Sequence, residues 1–583
     1  MNHDKKNILH GLAAAPGLSI AEVHLYIKEE IKVIPEAITD ADEAIIILHE
    51  ALEKSRKELR KVFNLAVDKL GENRAAIFEA QLMILDDPIL IGQIEDRIRN
   101  EMQSAEFIVD DEISKYQKLM LNSSEGYLKE RSHDIEDIKF RIVRNIKKKK
   151  WVSRIENDVN VVATILTPAD SVLFSRVNVK GYVTDHGGLT SHAAIVARSL
   201  NIPAVVGLHE ATRKIKEGDL IIIDGFHGNV IVNPDKEQLN YYQERIEKLT
   251  LLDSELASLK DDAAETLDGR RIKLLANLDL QEEIDLVMQN GAEGIGLVRT
   301  EQIFQEHDIF PEEEEQYKIY KGLAEKLFPH QVTIRTLDIG GDKVLPLDVQ
   351  EPNPFLGWRG VRFLLDNKNL YKNQLRAILR SSTHRNVKLM IPMISSLKEI
   401  RDSKKLIEEC KSELRSENIQ FDEDIEIGIM IEVPSAAVMA KEYAEEVSFF
   451  SIGTNDLIQY LLAVDRGNDI ISNLYQEFHP AVVRTLHHII SEGKKGSVEV
   501  TICGEMAADL IAAPLLVGLG LDAISVSPSA IPFLKRVIRN LKYEEVKKLS
   551  EECLQLSTEL EIKNKLKDFY EKNLLDITKN IFN

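Results

Sequence analysis

Apolar residues recur at helical spacing through Ala44–Val67, Ala75–Leu85, Phe107–Leu119 and Ile135–Ile146, the three-to-four-residue period of amphipathic helices. Between 40 and 147 glycine is nearly absent, apart from Gly71, Gly92 and Gly126. The pattern predicts a helical bundle. Strand-like runs flank it, Ala21–Tyr26 before and Val159–Ile165 and Val179–Thr184 after, so the bundle reads as an insertion into an α/β domain. That domain continues through Asp219–Asp224 and Gly228–Val232, rich in β-branched residues. Residues 236–262 form a charged helical pattern, read as a linker. Beyond them come eight buried-looking strand runs: Ile272–Leu275, Gly294–Val298, Val332–Thr336, Lys388–Pro392, Glu426–Ile431, Phe449–Ile452, Glu499–Ile502 and Ala523–Val526. The chain between successive runs is long enough for a helix, which predicts a (β/α)8 TIM barrel with its active site where the strands end. The expected fold class is therefore multidomain α/β. Residues 1–26 plus 148–235 form the α/β domain, 27–147 the inserted bundle, 236–262 the linker and 263–583 the barrel.

Composition narrows the partners. A chain of 583 residues has room for roughly three or four domains. Its net charge of −22 argues against nucleic acid and anionic membrane as partners, and the Lys147–Lys150 run reads as a solvated helix end. Cys410, Cys503 and Cys553 are widely spaced, with neither a disulfide framework nor a zinc spacing, which points to a reducing cytoplasm. Lys5-Lys6 precedes an apolar stretch, but His10, Gly11 and Pro16 interrupt it, unlike a signal peptide. The uncharged run near Leu510–Leu521 is too short and glycine-rich to cross a bilayer.

The most informative segment is Gly187-Gly-Leu-Thr-Ser-His-Ala-Ala-Ile-Val-Ala-Arg198. Two glycines allow a tight turn and close backbone approach to a ligand, and Thr190 or Ser191 can cap a helix behind them. His192 then stands in the first turn, beside free N–H groups and the positive end of the helix dipole, where an anion such as phosphate is held. An imidazole there suits nucleophilic attack on phosphorus. Four arginines, Arg299, Arg335, Arg359 and Arg466, lie beside glycine turns at or near the predicted strand ends. Arginine grips phosphate and carboxylate through paired hydrogen bonds, so the four point to a small, highly anionic substrate. Glu432 and Asp456 end or follow adjacent strand runs; with a phosphorylated ligand they suit Mg²⁺, and otherwise they serve as salt-bridge partners of the arginines. Asn455 adds a neutral contact to phosphate.

The string Gly-Gly-x-Thr-Ser-His with Ala-Arg-Ser-Leu-Asn-Ile-Pro-Ala-Val-Val-Gly207 resembles the phosphohistidine segment of the phosphoenolpyruvate-utilising enzymes. From about Gly11 to the C-terminus the chain is similar to the enzyme I family of the bacterial sugar phosphotransferase system. The resemblance implies that the stretch near Gly11 is the first strand of a phosphohistidine α/β domain. It also implies that phosphoenolpyruvate is the substrate, His192 the phosphoryl carrier and Mg²⁺ the cofactor, with Cys503 protonating the enolate carbon as pyruvate forms. Arg299, Arg335, Arg359, Asn455 and Arg466 would then bind substrate, and Glu432 and Asp456 the metal. Because His192 lies outside the barrel it must swing to it and then to a second acceptor, with 236–262 as the hinge region. The resemblance makes that acceptor the phosphocarrier protein HPr, docked on the inserted bundle around Ala75–Asp87 and Tyr127–Asp137, with Phe78 and Met83 either anchors or core. It further implies a homodimer formed through the barrel.

The chain departs from the family pattern at several points. Leu189 stands where enzyme I usually has arginine, His186 is unusual, Gln302-Ile303 replaces Phe-Leu and Ala15-Pro16 replaces Ser-Pro. Leucine or methionine at position 189 is shared with pyruvate phosphate dikinase. Only 191 residues precede His192, however, most are helical, and no P-loop is present, against a nucleotide-dependent dikinase or synthase. A regulatory protein that had lost catalysis is the rival of a different class, and retention of the whole residue set speaks against it.

Overall fold

In the stretch Leu18–Tyr26 burial nearly alternates, with Ser19, Ala21, Val23 and Tyr26 facing inward, as a strand with one covered face requires. The computed structural model describes the chain outside residues 1–6, 28–30, 71, 122–125, 150–157, 168, 171–173, 175–177, 190, 200–201, 280–282, 302–309, 341–350, 352, 469 and 575–583. It falls into two units, residues 1–249 and 250–583.

The first unit is built on eight strands: β1 (Ile8–His10), β2 (Leu12–Ala15), β3 (Leu18–Tyr26), β4 (Asn160–Ala163), β5 (Gly181–Thr184), β6 (Ala204–Val206), β7 (Leu220–Asp224) and β8 (Asn229–Val232). Their order across the sheet is β1-β8-β7-β3-β4-β5-β6-β2. The long β3 serves two partners. Its first half pairs antiparallel with β7 and its second half parallel with β4. From β4 the sheet runs parallel into β5 and β6, and Val161, Val162, Val183 and Val205 are fully buried there. Such doubly covered parallel strands call for β-branched residues on both faces.

Between β3 and β4 lie five helices: α1 (Ala41–Leu70), α2 (Glu72–Leu85), α3 (Pro88–Glu101), α4 (Ala105–Leu121) and α5 (Gly126–Ile146). Their apolar stripes, with Leu48, Leu59, Ile98, Ile108 and Ile138, bury one another in a core. Helix α3 starts where Asp87 accepts the Ile89 N–H ahead of Pro88, the arrangement that satisfies a first-turn donor and uses the fixed proline φ. Phe78, which the sequence left open between docking anchor and packing, is 1% exposed and belongs to this core; Met83 is 67% exposed on the surface.

After β8 a single helix, α6 (Lys236–Ser258), occupies most of the predicted linker, and the division between the units falls within it. Asp224, 2% exposed at the end of β7, ties its first half down. Its carboxylate accepts from Tyr242 Oη at 3.3 Å and lies 3.7 Å from Arg245 Nη1.

The second unit holds a closed barrel of parallel strands: β9 (Lys273–Leu278), β10 (Gly294–Val298), β11 (Gln331–Arg335), β12 (Val387–Ile391), β13 (Ile427–Ile431), β14 (Phe449–Gly453), β15 (Glu499–Cys503) and β16 (Ala523–Val526). These are the eight runs read from the sequence, their ends differing by at most three residues. The outward faces join the surrounding helices in one continuous apolar core. Inside, Leu297, Met390, Met430, Phe449 and Cys503 pack on one another. At the N-terminal ends of the strands, Lys388 Nζ lies 3.0 Å from Glu499 Oε2 and 5.3 Å from the Phe449 ring centre. Lys273 Nζ reaches the other Glu499 oxygen at 2.7 Å. The barrel is thus filled below and open above. Among the described residues no helix is long and apolar enough to cross a membrane.

Candidate active site

The C-terminal ends of the barrel strands surround a cavity of about 360 Å³. All four arginines identified from the sequence, Arg299, Arg335, Arg359 and Arg466, reach it, together with Glu432, Asn455, Asp456 and Cys503. Four acids not singled out from the sequence line it too: Asp279, Glu301, Asp338 and Glu505. Each of these follows an apolar run or a glycine-flanked turn, the signal that could have found them.

Buried carboxylates hold the deep arginines in place. Arg335 Nη2 donates to Glu301 Oε1 at 2.7 Å, and Nη1 lies 3.4 Å from Asp338 Oδ2. Arg359 grips Asp338 through Nε at 3.2 Å and Nη2 at 2.9 Å, and Nη2 also meets Asp456 Oδ2 at 3.2 Å. The Arg359 Nη1 donates to Tyr460 Oη at 3.0 Å, which itself donates to the Phe355 carbonyl. Burial alone would lower both guanidinium groups, yet the carboxylates, Asp338 foremost for Arg359 and Glu301 for Arg335, more than offset it and hold both above the usual arginine range. Both arginines therefore stay charged at any working pH, fixed and pointed at the cavity. The Arg359→Met substitution leaves Asp338, whose side chain is 1% exposed, without its main counter-ion. The expected loss is about 3–5 kcal/mol, visible as a lowered midpoint in denaturant; an unchanged midpoint would refute the assignment of the pair as a structural clamp.

Glu432 and Asp456 stand on neighbouring strand ends. Glu432 Oε1 accepts the Met393 N–H at 2.6 Å. Burial, followed by the nearby Asp338 and Asp456 charges, pushes the Glu432 carboxyl well above the usual carboxylate range. Asp456 Oδ1 is buried without a hydrogen-bond partner, a costly state for a carboxylate oxygen. Crowded acids with an unsatisfied oxygen in a dry pocket suit a hard divalent cation. Among the described residues no three acids, histidines or cysteines converge into a ready metal cage, so ligand oxygens would have to complete the shell, as is usual for Mg²⁺.

Cys503 ends β15 and is 2% exposed. Burial raises its thiol, which the Ser451 hydroxyl (3.4 Å) and the neighbouring Arg299 and Arg335 only partly counter. The sulfur therefore stays protonated at neutral pH, with its proton near the Ile452 carbonyl at 3.5 Å. Gly504 follows with φ +109°, a conformation that lets the chain turn so that Glu505 N–H donates to Asn455 Oδ1 at 2.8 Å. Asn455 returns a bond from Nδ2 to Glu505 at 3.2 Å, which fixes its amide. Cys410 and Cys553 are buried between helices.

At the rim, burial, together with Asp509 and Glu505, holds Glu477 up to about 7. A carboxyl raised on folding binds its proton more tightly in the native state, so its contribution is full below about 4.5 and is lost as pH rises through about 7. Replacement by glutamine should remove that loss. Urea melts at pH 5 and pH 8 should converge in Glu477→Gln, and an unaltered difference would exclude this group as the cause.

In the first unit the segment that carries His192 connects β5 to the helix His192–Ser199. Gly187 has φ +126°, and the Ser191 hydroxyl accepts the Ala194 N–H at 3.4 Å, so Ser191 takes the capping place the sequence offered to it or Thr190. Arg198 donates to the Ala14 and Leu189 carbonyls at 2.7 and 2.9 Å and staples the turn to β2. His192 opens the helix; its side chain and Thr190 lie outside the described residues. Leu189 is 50% exposed, and the His186 and His209 rings stand edge to face, 5.9 Å apart.

The chain is similar to known proteins along most of its length. Three family models match: the N-terminal domain of phosphoenolpyruvate-utilising enzymes over residues 10–131, their mobile domain over 155–228 and their phosphoenolpyruvate-binding domain over 253–543. The chain is 41% identical over 569 residues to the phosphoenolpyruvate-protein phosphotransferase of Staphylococcus carnosus, covering 97% of this chain and 99% of that protein. It is 41% identical over 558 residues to the protein of the same name from Listeria innocua, covering 95% of this chain and 98% of the other. A solved solution structure of an enzyme I fragment is 41% identical and covers 42% of this chain and 99% of its own, with a TM-score of 0.38.

Proposed function

Because the chain belongs to the phosphoenolpyruvate–protein phosphotransferase family, the enzyme I branch of the phosphoenolpyruvate-utilising enzymes, we propose the following division of labour for its own residues. The barrel cavity binds phosphoenolpyruvate, His192 takes its phosphoryl group, pyruvate leaves, and the phosphoryl group passes to a histidine of HPr. The observation that carries this reading is the convergence of four arginines, two metal-suited acids and a protonated thiol on one cavity of about 360 Å³, a size for a small ligand.

Arg299, Arg335, Arg359 and Arg466 neutralise the phosphate and carboxylate, and Asn455 adds a neutral donor. Since Arg335 and Arg359 are locked by buried carboxylates, their charge meets the transition state without reorganisation, where such preorganisation is most effective. Glu432 and Asp456 would hold Mg²⁺, which supplies positive charge against the substrate's oxygens as the phosphoryl group departs. The attacking group is the His192 imidazole, in line with the breaking P–O bond. As that bond breaks, electrons flow into the enolate, and Cys503 gives its proton to the methylene carbon to make pyruvate. In the second step the phosphorus moves from His192 to the HPr histidine, with the helical bundle α1–α5 as the docking platform and the exposed Met83 as a contact. The domain boundaries follow the same scheme: 1–26 with 148–235 as the phosphohistidine domain, 27–147 the HPr-binding bundle, 236–262 the hinge, 263–583 the substrate-binding and dimerising barrel. The setting is cytoplasmic, with a homodimer as the assembly.

Incubation of the full chain with ³²P-phosphoenolpyruvate and Mg²⁺, then with HPr, tests this. Acid-labile label on the protein that transfers to HPr, with pyruvate released in step, is expected. Label that HPr cannot remove would sink the partner while keeping the chemistry; a chain that takes no label would sink the reading altogether.

A further inference from the structure

One carboxylate at the cavity mouth has no part in the reaction as proposed. Asp279, the residue after β9, directs both oxygens to a single nitrogen, Arg299 Nη1, at 2.7 and 2.9 Å. Its side chain is 40% exposed and that of Arg299 34%. The other pairs in the cavity are built differently. In Arg335–Glu301 the side chains are 6% and 5% exposed, and in Arg359–Asp338 2% and 1%. Those deep acids are needed, because a buried guanidinium without a counter-ion is not tolerated. Arg299 has no such need. Half-exposed pairs are weak and exchange readily with other ions, and here both contacts fall on one terminal nitrogen, so the paired grip of an arginine fork is not made.

We propose that Asp279 is a specificity-determining residue that competes with the substrate for Arg299 and so sets its affinity. The inference rests on the reading of this cavity as the phosphoenolpyruvate site. A substrate bringing a phosphate and a carboxylate must displace Asp279 from Arg299 and then sit beside a fixed negative charge. Pyruvate, with one charge, is opposed far less. Asp279 therefore narrows the affinity gap between the highly charged substrate and its singly charged product.

The test uses the full chain in a His192→Ala background, so that no phosphoryl transfer depletes the ligand. Dissociation constants for phosphoenolpyruvate and for pyruvate are measured by calorimetry with Mg²⁺ present, for Asp279, Asp279→Asn and Asp279→Glu. The asparagine form should bind phosphoenolpyruvate about three- to tenfold more tightly at low salt, with pyruvate changed less than about twofold, and the gain should shrink as salt screens the charge. The glutamate form, which keeps the charge, should stay near the parent. In the His192-containing protein the same change should lower KM and leave kcat nearly untouched. Weaker binding in Asp279→Asn would make Asp279 an aligner of Arg299 and overturn the proposal, as would equal binding at all salt concentrations. A parent protein that does not bind phosphoenolpyruvate would overturn the site assignment itself, and this inference with it.

Discussion

Replacing His192 by alanine should abolish acid-labile phosphorylation while leaving the protein folded. Alanine is the best helix former, and the start of helix His192–Ser199 is capped by Ser191, so the substitution should remove the proposed nucleophile without unfolding the helix. Enzymes stripped of a catalytic nucleophile lose on the order of 10⁶ in rate; here that means no label above background, with an unchanged melting curve. Phosphoenolpyruvate binding should persist, since the four arginines lie in the barrel unit. The sharp alternative is close by in the chain. His186 and His209 are exposed and side by side, and peptide mapping that found the phosphoryl group on either of them would move the carrier role away from His192.

Cys503→Ala carries the second large effect, and it should split the reaction. A buried thiol that stays protonated is suited to give a proton, and Glu432, the carboxyl of the cavity that burial also raises, is the group a metal ion would deprotonate. General acids of this kind supply about 10²–10⁴ in rate, so pyruvate formation should fall by that factor. The substrate dissociation constant should move by less than about threefold, because the thiol touches none of the arginine clamps. Loss of one sulfur from the interior cluster of Leu297, Met390, Met430 and Phe449 costs on the order of 1 kcal/mol, too little to unfold the barrel. Rapid-quench measurement of pyruvate beside calorimetric binding separates the outcomes. A full rate of pyruvate formation in the alanine form would remove Cys503 from the chemistry.

Much of this was legible in the chain before any coordinates. The eight barrel strands announce themselves because most of their positions are buried and apolar, and the bundle because its stripes repeat at helical spacing. The site residues announce themselves because a charge at the end of an apolar run needs a reason. What stayed hidden depends on pairing. Nothing in Thr336-Leu-Asp338 or Arg299-Thr-Glu301 says that Asp338 will clasp Arg359, twenty-one positions on, or that Glu301 will clasp Arg335, thirty-four positions on. Phe78 and Met83 illustrate the same limit on a helix: five positions apart, they sit on opposite sides of the line between core and surface, and composition alone could not say which. Tyr460, whose hydroxyl props Arg359 from a distance of 101 residues in sequence, carries no motif at all.

The Lys273–Glu499–Lys388 lattice beneath Phe449 stoppers the N-terminal end of the barrel, leaving the strand-end mouth for traffic to the cavity. On the proposed scheme phosphoenolpyruvate enters by that mouth, the His192 imidazole must reach it there, and pyruvate leaves the same way. On the proposed scheme surplus pyruvate contends with phosphoenolpyruvate for this cavity and not with HPr, so a crowded product pool should slow charging of His192 without slowing its discharge.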